Sequence, residues 1–228
     1  MQRIRPRHMP PLRDEGPDAA HTILSDGTTA VLRTAQPADT DELQRFFARL
    51  TPAATRHRFF SESAPPAEVI RSLCDASHPE RSLTVIVLRR HDDTLRIIAS
   101  GSYHARTPQE AEVAMAVDEQ LHGHGLGTIL LERLALLAIR QGFTKLWAIT
   151  HADNLAMREV FATSGFTMEE HVEGGDMEVE LSLTPTDQSV RQSEWRERVA
   201  TIASLHPLFP PRAAAAIGAS RDPKSVGY

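Results

Sequence analysis

The run His122-Gly123-His124-Gly125-Leu126-Gly127-Thr128 stands between a strand-like segment and a long apolar helix. It restricts the fold more than any other stretch of the chain. Glycine lacks the Cβ that would stop a backbone from turning sharply or approaching a ligand closely. A helix that starts here leaves its first amides without intrahelical partners and carries partial positive charge at its start. Strand, glycine turn and helix in that order make an anion site suited to a phosphate or pyrophosphate. A plain strand-to-helix turn needs one glycine; three within five residues favour a ligand.

Composition narrows the classes around that loop. A chain of 228 residues, 41% hydrophobic and 24% charged, can bury a full core and reads as globular, one domain with appendages. A formal net charge of −5 lacks the basic footprint of nucleic-acid binding and argues against nucleic acid as the main partner. The single cysteine, Cys74, excludes an internal disulfide and a multi-cysteine metal cluster. Its apolar helical surroundings, Val69, Ile70 and Leu73, mark a buried structural thiol. No run reaches transmembrane length. Arg3, Arg5 and Arg7 precede only Pro10, Pro11 and Pro17, which is no secretory signal. A cytoplasmic protein without a membrane partner is expected.

The hydrophobic pattern then divides the chain. Residues 1–20, rich in proline, arginine and acids, are expected to be disordered. Thr29–Arg33 reads as a strand, and Leu43, Phe46, Phe47 and Leu50 follow helical spacing behind Pro37 and Asp39. A short helix is expected over Pro66–Cys74. Leu83–Leu88 is a buried strand whose hairpin partner, Arg96–Tyr103, follows a turn at Asp92-Asp93. Glu112–Val117 is a further strand. A helix over Thr128–Arg140 closes at Gly142, followed by a strand at Lys145–Thr150 and a helix at Asn154–Thr163. Thr167–Glu173 and Met177–Leu183 pair across Gly174-Gly175. Strands that first meander and later alternate with helices describe a mixed α/β sheet. The domain spans 21–184. Residues 185–207, with Val190, Trp195, Val199 and Ile202, read as a linker helix. Residues 208–228, ending an apolar run in Gly218-Ala219-Ser220, read as the truncated start of another, nucleotide-binding domain.

The order strand, glycine turn, helix, strand, Asn-containing helix and Gly-Phe resembles the GNAT superfamily of acyl-CoA-dependent N-acyltransferases over residues 22–183. That family's phosphate motif is Arg/Gln-x-x-Gly-x-Gly/Ala. Gly125 and Gly127 match its last two positions, and His122 departs from the first. Asn154 through Met157, with Ser164-Gly165-Phe166, is similar to the family's second cofactor segment. Leu205–Gly227 resembles the start of the CoA-binding domain of NDP-forming acyl-CoA synthetases, and Thr55–Phe60 resembles the Pat-type protein-lysine acetyltransferases that carry such a fusion. The resemblance implies a GNAT fold: a mixed, mostly antiparallel sheet, splayed at the acyl-CoA site and flanked by helices. It also implies acetyl-CoA as acyl donor, no metal, and a partner protein bearing a reactive lysine, an acyl-CoA synthetase.

On that basis the pyrophosphate sits on the amides of Gly123, His124, Gly125, Leu126, Gly127 and Thr128, with the Thr128 hydroxyl as an extra donor and the His122 side chain a weaker one. By the same resemblance the pantetheine pairs with the strand Val113–Val117 like an added strand. Met115, Ala116 and Val117 then line it, and an amide of Met115 or Val117, chosen by a strand bulge, stabilises the oxyanion, an effect worth roughly 3 kcal/mol. Asn154, and with it Met157, holds the pantetheine, although capping its helix alone would justify an Asn. A lysine amine is neutral in only about one molecule in 2,500 at pH 7, so transfer needs a base. Glu112 is the candidate, in a strand otherwise apolar (Val113 to Val117) where burial would raise its pKa; Glu110 is second. The family's leaving-group tyrosine falls on Phe161, which cannot donate a proton. His122 and His124 are too close in sequence for a helical metal pair and nothing completes a site. The acids Glu169, Glu170, Glu173, Asp176, Glu178 and Glu180 read as a solvated hairpin that also suits a basic target loop. The remaining alternatives are a small-amine acetyltransferase and a non-catalytic acyl-CoA-sensing module.

Overall fold

The structure, a computed structural model, describes residues 19–91 and 94–184. The expected disorder at residues 1–18, the turn at Asp92-Asp93, the linker helix at 185–207 and the domain start at 208–228 lie outside the described residues. Eight strands form one sheet. They are β1 (Ala20–Ile23), β2 (Thr29–Thr34), β3 (Ser82–His91), β4 (Thr94–Ala105), β5 (Glu110–Val117), β6 (Lys145–His151), β7 (Thr167–Glu173) and β8 (Asp176–Ser182). The helices are α1 (Thr40–Arg49), α2 (Pro52–Phe59), α3 (Ala67–Leu73), α4 (Leu126–Arg140) and α5 (Leu155–Ser164). The strand order is β1-β2-β3-β4-β5-β6-β8-β7. Every neighbouring pair is antiparallel except β5 and β6. This is the mixed, mostly antiparallel sheet that the sequence leads one to expect.

The continuous apolar run of β3 has a simple cause: helices cover both faces of the sheet, so neither side of the strand meets water. Val85 and Val87 pack with α4 in one core cluster, whereas Ile86 and Leu88 pack with Phe46, Phe47, Ile70 and Cys74 in the other. The register slips between Val87 and Leu88, so Ile98 of β4 is left without an opposite residue; such an insertion sharpens local twist. Cys74 is fully buried, and burial pushes its thiol above the usual range, as a structural sulfur requires.

Two elements escaped the pattern. The strand β1 starts at Ala20, inside the stretch expected to be disordered. No helix is expected over α2, where Thr55–Phe60 enters only as a resemblance; α2 opens on Thr51, whose side chain accepts from the Ala54 amide at 3.2 Å, with Pro52 next. Thr followed by Pro is a helix-start signal. The helix α4 begins at Leu126 rather than Thr128, which takes Gly127 into the helix.

The feature that positions the site is the brief contact between β5 and β6. They pair only at Glu110–Lys145, Ala111–Leu146 and Glu112–Trp147. Beyond Glu112, β5 keeps β4 as its neighbour and β6 keeps β8, and the sheet opens as a wedge. On the floor of the wedge Gly101 of β4 leaves room for Met115. A Cβ there would stand 2.8 Å from Leu134 Cδ1 and 2.9 Å from Met115 Cγ. Gly101→Ala is therefore expected to cost about 1–3 kcal/mol through overpacking and to push Met115 into the wedge. Urea denaturation checks the first effect, and weaker CoA affinity by calorimetry the second.

Candidate active site

The wedge is lined by the end of β5, the glycine loop and parts of α2, α4 and α5, giving a cleft of about 330 Å³, within the size range of cofactor sites. Gly125 has φ 78 and is the N-cap of α4; Gly123 has φ 77. Both values are costly for residues with a side chain. The first intrahelical bond of α4 runs from the Ile129 amide to the Gly125 carbonyl at 3.0 Å. The amides of Leu126, Gly127 and Thr128 therefore precede the ladder and remain available for an anion.

Gly127 does a different job. Its φ is not positive, but a Cβ at this position would lie 2.7 Å from Val160 Cγ2 of α5. The third glycine lets α5 press against α4, and so sets the width of the cleft. Gly127→Ala is expected to lower stability by about 1–3 kcal/mol and to weaken CoA binding. Val160→Ala in the same chain should restore both, as thermal melts and calorimetry would show.

The expected cofactor residues Met115, Ala116, Val117, His122, Gly123, Gly125, Leu126, Gly127, Thr128, Asn154 and Met157 all line this one cleft. His124 does not. Its Nδ1 lies 3.0 Å from the His122 carbonyl and its Nε2 3.6 Å from Asp26 Oδ2, so its side chain turns toward the β1–β2 turn. His122 Nε2 lies 3.3 Å from the Val117 carbonyl, which ties the loop to the end of β5. Asn154 caps α5: its Oδ1 accepts from the Met157 amide at 3.1 Å, and its Nδ2 donates to Thr150 Oγ1 at 2.9 Å. That bonding alone accounts for an Asn at this position. The bulge expected in Val113–Val117 is not there; β4 and β5 keep an unbroken register from Ala99–Val117 to Ala105–Ala111.

Glu112 is the last β5 residue paired with β6, and it stands half-buried at the closed end of the wedge. Its expected apolar surroundings are instead a polar cluster. His104 is its cross-strand partner on β4, with Ser102 opposite Ala114. Arg58 of α2 donates from Nη2 to Ser102 Oγ at 2.7 Å, while its buried Nε has no hydrogen-bond partner. Burial pulls the Arg58 guanidinium down to about 10, against the opposing pull of the Glu112 carboxylate. It stays charged at neutral pH. Burial, and then the Arg58 charge, push the His104 imidazole below its ordinary value, with Glu112 opposing. Glu110, the second candidate, is already engaged. Its Oε1 accepts from Arg106 Nη1 at 2.7 Å, and that guanidinium stacks 4.0 Å from the Trp147 ring. Phe161 is 2% exposed and belongs to the core. Sequence reasoning missed Ala54 and His57, the contributions of α2 to the cleft wall, together with Arg58.

The profile of the acetyltransferase (GNAT) family matches residues 44–166, which include the later part of α1, all of α2 through α5 and the whole cleft. The chain belongs to that family, and it is thereby an acyltransferase. An acetyltransferase of Pseudomonas aeruginosa is 30% identical over 146 residues, 63% of this chain and 77% of the relative. Among solved structures, the GNAT domain of S. lividans PAT aligns with a TM-score of 0.64 at 24% identity, covering 72% of this chain and 96% of that one. The acetyltransferase yncA of Salmonella typhimurium, solved with acetyl-CoA, aligns at 0.54 and 18% identity, covering 69% and 96%. At such identities these two structures speak for the fold. Among the described residues no helix is long and apolar enough to cross a membrane.

Proposed function

We propose that this protein transfers an acetyl group from acetyl-CoA to the ε-amine of a lysine in a partner protein, by direct attack within a ternary complex. The observation that carries this reading is the continuity of the cleft. It joins the unpaired amides at the start of α4 to Met115, Ala116 and Val117 of β5, and Glu112 stands further along the same strand at the closed end of the wedge. The pyrophosphate of the donor would rest on the amides of Leu126, Gly127 and Thr128. Its pantetheine would lie along Val113–Val117, the β5 segment without a second strand beside it, with an amide of Met115 or Val117 facing the oxyanion. Glu112 takes the amine's proton, directly or through water; the freed lone pair forms the C–N bond, and the C–S bond breaks to release CoA thiolate. Glu110, bound to Arg106, is the poorer base.

The acceptor is read as an acyl-CoA synthetase in the cytoplasm. The resemblance of 208–228 to a synthetase domain supports this, as does a β7–β8 hairpin rich in acids. Incubation with labelled acetyl-CoA and a panel of acyl-CoA synthetases tests it. Wild type should label a lysine. Glu112→Gln should do so about 10²- to 10⁴-fold more slowly, with CoA affinity unchanged by calorimetry. Absence of label on every synthetase removes the acceptor; an unimpaired Glu112→Gln enzyme removes the base.

A further inference from the structure

The walls of the cleft carry few groups able to move a proton. Among the described residues, the titratable side chains that line it are His57, His122 and Glu159. His122 belongs to the glycine loop, and its Nε2 faces the Val117 carbonyl at 3.3 Å. Glu159 is an exposed acid on α5. His57 is placed differently. It lies one turn after Ala54 on α2, so both residues share a helix face. The helix α2 packs on β5 and β6, and that face lines the same cleft as Met115, Ala116 and Val117.

The surroundings of His57 are those of a group that takes a proton and returns it. Its side chain is 24% exposed. Its Nε2 lies 3.3 Å from Asp153 Oδ1. A carboxylate only accepts, so the proton of a neutral ring sits on Nε2, and Nδ1 holds the lone pair. Asp153 is met in turn by Arg56 Nη2 at 3.4 Å. The His151 ring, whose Nδ1 lies 2.8 Å from Asp176 Oδ1, stands 5.7 Å from the His57 ring. A carboxylate behind an imidazole fixes its tautomer and stabilises the cation formed when the other nitrogen gains a proton. The transfer reaction needs such a group, because Phe161 is buried in the core and has no proton to give the thiolate.

We propose that His57, oriented by Asp153, is a further catalytic residue that carries a proton from the acceptor nitrogen to the sulfur of CoA. This rests on the reading that acetyl-CoA lies along β5 with its thioester at Met115–Val117. Glu112 has by then taken the first proton of the ammonium and passed it to water. Once the amine has added to the carbonyl, its nitrogen carries one proton too many. His57 Nδ1 takes that proton, and the N–H electron pair returns to nitrogen. The C–S bond then breaks with its pair on sulfur, and the proton moves from Nδ1 to the thiolate. The ring is neutral before and after, so a turnover draws no proton from solvent through His57.

Proton–nitrogen NMR of the histidine rings in the full chain reads the sulfur's position without any acceptor. The probes are CoA and desulfo-CoA, and the His57 signals are those lost in His57→Gln. Neutral His57 should show the Nε2–H tautomer, and its Nδ1 resonance should move on binding CoA but hardly on binding desulfo-CoA. In the transfer assay His57→Gln should lower kcat about 10²-fold, with CoA affinity and thermal stability held. Added imidazole should restore part of the rate to His57→Ala. Pyrazole, of the same shape but scarcely basic, should not. Equal restoration by the two would mean that His57 only fills space and would overturn the proposal. So would an Nδ1–H tautomer, equal responses to the two probes, or an undiminished kcat in His57→Gln. Failure of CoA to bind would remove this proposal together with the donor reading. A sulfur-dependent response with no synthetase labelled would keep His57 beside the sulfur and count against the acceptor alone.

Discussion

The parting of β5 from β6 after three residue pairs is the constraint on which the rest of the site depends. A strand inside a sheet has both rows of backbone groups occupied; here Val113–Val117 has β4 on one side and no strand on the other. Backbone amides and carbonyls left in a cleft must find partners, and an extended ligand with amides of its own supplies them most economically. The wedge also fixes direction. At its open end β5 leads through a single turn at Glu119–Leu121 into the glycine loop, so the unpaired amides of α4 lie at the same end. At its closed end the last paired residue is Glu112. An anion site, a row of free backbone and a carboxylate thus fall in sequence along one groove because two strands diverge.

Three glycines that read alike in the sequence serve separate ends. Gly123 and Gly125 hold positive φ, and so bend the chain to aim amides at the cleft. Gly127 sits within α4 with Val160 of α5 pressed against it. The glycine-rich motif is therefore partly a packing motif, and the anion loop is held in shape by a helix contact on its far side. Gly101, on the opposite wall, belongs to the same group, since it gives Met115 its place. The spacing of Gly125 and Gly127 was legible in the sequence. The reason for Gly101 was not, because it depends on residues 14 and 33 positions away that only the folded sheet brings together.

The elements themselves were legible wherever burial repeats with a regular period. The strand β3, buried on both faces, and the helix α4, with Leu126, Leu130, Leu131, Leu134 and Ala138 inside, both announce themselves. The helix α2 does not, although Ala54 and His57 bring it into the cleft wall. Its residues face several environments at once. Thr55 is buried, Ala54 and His57 face the cleft, Arg58 reaches Ser102 and Phe60 meets His151. A helix recruited to polar tasks on most of its faces has no apolar stripe for a periodicity argument to find, and only Thr51-Pro52 marks its start. The neighbours of Glu112 were hidden for the same reason. The strand Glu112–Val117 reads as apolar along its own length, while the polar groups beside its acid come from β4 and α2.

That cluster bears on the central difficulty of amine acetylation, which is that the amine arrives protonated. The carboxylate of Glu112 attracts an ammonium, but the buried guanidinium of Arg58 is a like charge in a region of low dielectric, and like charges favour the neutral form of an approaching amine. Beside the rings of α2 and β6 the character is opposite, with Asp153 exposed and Asp176 half-buried. One short helix thus brings Phe60 against His151, His57 into the cleft wall and Arg58 to Ser102 beside the closed end.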